Sequence, residues 1–154
     1  MQLVELDISD SNKEIEFFID QLYLELFGKD ALLSNEDKVA IKNQWQKQQP
    51  AHWAFKVVQN KNAVAFFTLA ESFSYFAQGA YGIINELWVA EEYRSKGVGG
   101  EVLKYIKQIA EDKGWRRVDV SAPHFERWIK TFEFYQKHGF SYTGKKLKYL
   151  VAEH

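Results

Sequence analysis

Residues Tyr81 to Lys113 read YGIINELWVAEEYRSKGVGGEVLKYIKQIAEDK, and three local patterns follow one another within them. Ile83 to Val89 is a β-rich run, and Ala90 to Lys96 is a polar turn. Glycines at Gly97, Gly99 and Gly100 then open a helix. Along it Val98, Val102, Leu103, Ile106, Ile109 and Ala110 fall on one face, with Lys and Glu opposite. A glycine-rich helix start leaves several backbone N–H groups without intrahelical partners, and the helix dipole adds partial positive charge there. Because glycine lets backbone approach a ligand closely, such a start suits a phosphate or pyrophosphate.

Two common anion-binding turns are excluded by the residues themselves. A Walker P-loop needs Gly-Lys-Ser/Thr, whereas Gly99-Gly100 is followed by Glu101-Val102. The dinucleotide fingerprint G-x-G-x-x-G needs a glycine where this chain has Val102, and the turn is too long and too charged for that tight corner. What remains is Arg94-Ser95-Lys96-Gly97-Val98-Gly99, which fits R/Q-x-x-G-x-G/A. That hexamer resembles the pyrophosphate-binding turn with which the GNAT N-acetyltransferase superfamily grips coenzyme A. The preceding Glu86-Leu87-Trp88-Val89 resembles the family's strand before the turn, and Phe134-Tyr135-Gln136-Lys137-His138-Gly139-Phe140 resembles a helix end found further on in the family. The likeness runs from about Ala63 to Val151; Met1 to Pro50 agrees only in the order of its elements.

Composition sets the bounds. A chain of 154 residues suits a single domain with a sizeable core, here taken as residues 1–154. Twenty Lys and Arg against 21 Asp and Glu give no global field for nucleic acid or an anionic membrane. With no cysteine there is no disulfide framework, no thiol nucleophile and no Cys-based zinc site. His52, His124, His138 and His154 lack metal-ligand spacing, so no metal is expected. No apolar run reaches membrane-spanning length and the N-terminus lacks a signal pattern, so a soluble cytoplasmic protein is expected.

In chain order, Met1 to Ile8 alternates as a first strand, and Ser11-Asn12-Lys13-Glu14 is a capping-box pattern opening a helix that Gly28 ends. Ile15, Phe18, Ile19, Leu22 and Leu26 form its apolar stripe, leaving Phe17 and Leu24 off it. Ser34 caps a second helix that Pro50 closes. Trp53 to Val58 and Ala63 to Leu69 form a hairpin around the four-residue turn Gln59 to Asn62. Glu71 to Ala80 is an aromatic loop or strand extension. After the central helix, Gly114 is the stop and Arg116 to Ser121 a short strand with Val118 and Val120 buried. Phe125 to His138 is the last helix with Gly139 at its C-cap, and Phe140 to Tyr142 and Leu147 to Val151 pair as a final hairpin across Gly144.

The order β-α-α-β-β-β-α-β-α-β-β is the order of the GNAT fold. The resemblance therefore implies an α/β (α+β) architecture: a mixed, mostly antiparallel, twisted sheet of six to seven strands flanked by four helices. In the family the central strand and the next one splay apart, and unpaired backbone groups bind the pantetheine arm. That assigns the backbone of Leu87, Trp88 and Val89 to the cofactor, together with Arg94, Ser95, Lys96, Gly97, Val98, Gly99 and Gly100 at the turn. It implies acetyl-CoA as co-substrate and transfer of an acetyl group directly to a primary amine, polyamine-, aminoglycoside- or amino-acid-like. A peptide or protein N-acetyltransferase and a non-catalytic acyl-CoA-binding module are the alternatives. A homodimer, the habit of many members, would use edge strands or the Phe17/Leu24 helix face.

Acetyl transfer needs a base near the amine. On the central strand, alternation sends Glu86 and Trp88 to one side and Leu87 and Val89 to the other. Glu86, a carboxylate among apolar neighbours, is the candidate base, unless it pairs with a lysine or only binds the substrate ammonium. A bulge would instead bring Asn85 to that place. Tyr135 matches the tyrosine that in many members lies beside the coenzyme A sulfur. A phenol of reference pKa about 10 can protonate a thiolate of about 8.5 without being ionised near pH 7. The other reading is a core tyrosine spaced with Trp128 and Phe132. Where members often have Asn and Ala in this helix, Trp128 and Thr131 stand instead. The usual asparagine contact is thus missing, and Thr131 is counted with the cofactor contacts.

Overall fold

The structure, a computed structural model, describes residues 1–47, 51–121, 129–144 and 146–152. They form two compact units, Met1–Val120 and Ser121–His154. In the first, strands β1 (Gln2–Leu6), β2 (His52–Gln59), β3 (Asn62–Ser74), β4 (Gly79–Val89) and β5 (Val118–Val120) make one sheet in the order β1-β2-β3-β4-β5. Neighbours are antiparallel except β4 and β5, which run parallel. Helices α1 (Asn12–Phe27), α2 (Asn35–Lys47) and α3 (Val98–Lys113) belong to the same unit, and α4 (Ile129–Lys137) to the second.

Strand β3, in the middle of the sheet order, is covered on both faces, because consecutive residues Phe66 and Phe67 are each 0% exposed. On one face Phe18 of α1 stacks on Phe66 at 4.9 Å and meets Trp88 at 5.5 Å, joining Leu6, Ile8, Ile15 and Ala54 in a cluster. On the other, Phe67 stacks on Phe55 at 5.0 Å. Helix α3 lays its buried stripe, Val98, Val102, Leu103, Ile106 and Ala110, against β3 and β4. Just beyond it, Trp115 meets Trp53 and donates its indole N–H to Glu71 at 2.6 Å. The same ring lies so close to Gly82 that a Cβ there would sit 2.3 Å from it, so β4 accepts no side chain at that position.

Several expectations change in detail. Helix α1 starts where the capping box placed it, yet the Ser11 side chain makes no capping bond; Asn12 Nδ2 reaches Glu16 Oε1 at 3.1 Å instead. Ser34 does cap α2, accepting the Asp37 N–H at 3.1 Å. The β2–β3 turn is tighter than expected. Gln59 already pairs with Asn62, and Asn60 and Lys61 both take positive φ (52° and 67°), which suits the twist of a two-residue hairpin. The aromatic stretch after Glu71 is an extension of the β3–β4 hairpin, leaving Phe73, Tyr75 and Phe76 exposed at its tip. Val118 and Val120 are half-buried, not buried.

The largest correction is at the C-terminus. No strand forms among the described residues after α4, so the sheet has five strands and not six or seven. Leu147, Tyr149 and Val151 alternate as a strand would, but each is about nine-tenths exposed, with no ladder partner to bury them. Helix α4 does end at Gly139, where the Phe140 N–H reaches the Tyr135 carbonyl at 3.0 Å. Pro50, Pro123, His124, Phe125, Trp128 and His154 lie outside the described residues. Phe17 and Leu24 are exposed on α1, and no described helix is long and apolar enough to cross a membrane.

Candidate functional site

The ladder between β3 and β4 is broken once. Thr68 faces Glu86 and Leu69 faces Ile84, so Asn85 is an extra residue on β4, a β-bulge. Asn85 is exposed, while Glu86 lies on the face of Trp88 and α1. Thr68, 3% exposed, fixes Glu86 at both its carboxyl and its backbone. Its hydroxyl donates to Glu86 Oε1 at 2.8 Å and its oxygen accepts the Glu86 N–H at 3.2 Å. Burial raises the Glu86 pKa above its ordinary value of 4.5, and the Thr68 hydroxyl opposes that rise by favouring the charged form. No ion-pair partner of Glu86 occurs among the described residues.

Glu86, Asn85 and Thr68 line a cavity of about 460 Å³ whose other walls come from the end of β1, from α1, from α2 and from His52. Ile8, Ile15 and Ile19 make much of it apolar. Tyr23 of α1 is also on the wall, and its phenol pKa is raised by burial and then by the negative charge of Glu86. A desolvated carboxylate facing an apolar cavity, without a bound cation of its own, can take a proton from an amine placed there.

Beyond Ile84, β4 keeps β3 but has no ladder partner on its other edge among the described residues. Pairing with β5 covers only Gly82 to Ile84. The Ala90 N–H bonds the Val64 carbonyl at 2.9 Å, so alternation turns the N–H and C=O of Leu87 and Val89 away from β3 and those of Trp88 towards Phe66. The edge of β4 away from β3 therefore lacks a ladder partner among the described residues. Leu87 and Val89 turn their backbone groups to it, whereas the Trp88 backbone is spent within the sheet. The Val89 carbonyl is not free either, because Arg94 Nε donates to it at 3.0 Å.

Glu91–Tyr93 form a short 3-10 turn after β4. Ser95 then takes φ +60° and Gly97 φ +82°, two left-handed residues that fold the chain back into α3. No side chain caps α3, and its first turn closes only with the Glu101 N–H on the Gly97 carbonyl at 3.2 Å. The N–H groups of Val98, Gly99 and Gly100 are thus available to an anion, which is the fit that a pyrophosphate requires. Lys96 stands exposed over Tyr93 at 5.9 Å. Arg94 is held by Glu25 of α1 at 2.5 Å, a partner that sequence alone did not reveal.

Tyr135 and Thr131 belong to the second unit. Tyr135 is buried, in ring contact with Phe134 and Phe140, and burial pushes its phenol up to about 12; Thr131 is half-buried on the same helix. The structure brings together Glu86, Leu87, Val89 and the Arg94–Gly100 turn in the first unit. Thr68, Tyr23 and the α2 wall were missed by sequence reasoning. Thr68 had a signal, being a lone hydroxyl in an otherwise apolar run of β3.

Comparison with known proteins follows the same lines. The family model described as acetyltransferase (GNAT) family matches residues 17–140. No curated protein matches the chain. Among solved structures, an aminoglycoside acetyltransferase from an uncultured soil metagenomic sample, in complex with trehalose, is 18% identical with a TM-score of 0.75, over 99% of this chain and 96% of that one. A second soil-metagenome aminoglycoside acetyltransferase is 14% identical with a TM-score of 0.80, over 98% of each chain. An aminoglycoside 6'-N-acetyltransferase from Acinetobacter haemolyticus is 12% identical with a TM-score of 0.71, over the whole of both chains. At such identities the likeness is one of fold.

Proposed function

The chain belongs to the GNAT acetyltransferase family and is an N-acetyltransferase; from that premise we propose that it moves an acetyl group from acetyl-CoA directly to the primary amine of a small molecule held against Glu86. The observation that carries this reading is the desolvated Glu86 carboxyl, fixed by Thr68 on the wall of a largely apolar cavity, on the same strand that leads into the uncapped start of α3.

When bound, acetyl-CoA supplies the acetyl group as a thioester. The amides of Val98, Gly99 and Gly100, with the Lys96 ammonium, hold its phosphates. Leu87 offers both backbone groups and Val89 its N–H to the pantetheine arm. Glu86 accepts the proton that the nitrogen sheds as it bonds to the acetyl carbon. Tyr135 is assigned to the departing sulfur. At a pKa of about 12, full transfer of its proton to a thiolate of about 8.5 is uphill by about 5 kcal/mol. Its contribution is therefore a hydrogen bond to the sulfur as charge develops, with the proton finally taken from water.

The test is coenzyme A release from acetyl-CoA across a panel of small amines and peptides, with products identified by mass. Release that depends on a small amine and yields its N-acetyl derivative is expected. Release only with peptides, or none with any amine, would overturn the proposal.

A further inference from the structure

Resting on that reading of the cavity as the acceptor site, we propose that the acceptor carries a carboxylate at the end remote from its amine: an ω-amino carboxylate with an apolar middle, not a polycation. The charges on the wall are unevenly satisfied. Lys38 is engaged, at 2.9 Å from Asp20, and Glu16 accepts from Asn12 at 3.1 Å. Lys42 of α2 is half-buried, lines the cavity, and has no ion-pair or hydrogen-bond partner among the described residues.

One turn further along α2, on the same face, Trp45 also lines the cavity. The α2 wall thus presents an ammonium without a partner among the described residues, while β4 presents Glu86 to the same cavity. A ligand that satisfies both has an ammonium at one end, a carboxylate at the other, and methylene or ring carbons against Ile15, Ile19 and Ile41 between them. A second ammonium on the acceptor would instead meet Lys42, a like-charge clash that disfavours polyamines and aminoglycosides.

Three probes of equal chain length separate the cases: 6-aminohexanoate, hexylamine and 1,6-diaminohexane. In the wild type, kcat/KM for 6-aminohexanoate is expected to exceed that for each of the other two by about tenfold, the scale of one charge-assisted contact. Lys42→Ala should bring the ratio of 6-aminohexanoate to hexylamine towards one, through KM. Lys42→Glu should invert the ratio of 6-aminohexanoate to the diamine, a gain that a merely unfolded variant cannot show. Preference for the diamine or an aminoglycoside, or ratios unmoved by both substitutions, would overturn the inference and leave the small-amine reading standing. If no amine at all supports coenzyme A release, the small-amine reading falls and this one with it.

Discussion

Replacing Glu86 by Gln keeps the shape of the side chain and its acceptance of the Thr68 hydroxyl, donated at 2.8 Å, but removes both the charge and the base. Two effects of opposite sign follow. General base catalysis is typically worth about 10²- to 10⁴-fold, so kcat should fall by that order. Stability should move the other way. The folded-state pKa of Glu86 lies above 4.5, so the folded protein holds this proton more tightly than the unfolded chain does. Stability from this group is fully present below the unfolded value and is lost as pH rises through the raised folded value. Each unit of that rise costs the ionised protein about 1.4 kcal/mol, and the neutral Gln avoids the cost. Glu86→Gln is therefore expected to be the more stable protein in denaturant melts at pH 8. The difference should shrink towards zero near pH 4, while turnover stays low throughout. A variant that is less stable at pH 8, or that turns over at the wild-type rate, would refute the reasoning.

Three further substitutions probe the rest of the site. Gly99→Glu places bulk and negative charge at the open start of α3, so acetyl-CoA binding measured by calorimetry should be lost while the melting temperature changes little. Thr68→Val removes the hydroxyl that favours the charged carboxyl, so the acid limb of the pH–rate profile should move to higher pH. The same change leaves the Glu86 N–H without its acceptor, for a loss of about 1–3 kcal/mol in stability. Tyr135→Phe should leave acetyl-CoA affinity unchanged and lower kcat by about ten- to a hundredfold, the worth of a hydrogen bond to a charged atom; an unchanged kcat would make Tyr135 a packing residue only.

The central strand–turn–helix was legible because its information is local. Period-two and period-3.6 patterns meet at glycines, and Gly97 stands at the N-cap of α3. Side-chain alternation likewise placed Glu86 with Trp88. The bulge at Asn85 was anticipated only as an alternative, since nothing in Ile84-Asn85-Glu86 fixes which residue is extra until β3 supplies the register. Family likeness read from motifs began near Ala63, yet the family match begins at residue 17, inside α1. That helix and α2 carry no family motif; their contribution is a cavity wall that brings residues such as Tyr23, Lys42 and Trp45 to Glu86, far from them in sequence. Lys42 carries no sequence signal, and only the packing of α2 brings it to the cavity. The C-terminal hairpin failed for the opposite reason: an alternating apolar pattern is necessary for a strand, but pairing depends on a partner that the pattern does not specify.

Direct transfer implies that the protein is never itself acetylated, in keeping with a chain that has no cysteine. Intact-protein mass spectrometry during a single turnover with isotopically labelled acetyl-CoA tests this. Unmodified protein is expected both before and after amine is added, with the label appearing on the amine nitrogen only once the amine is present. An acetylated protein that forms without amine and disappears when amine is added, or label that never reaches nitrogen, would contradict it.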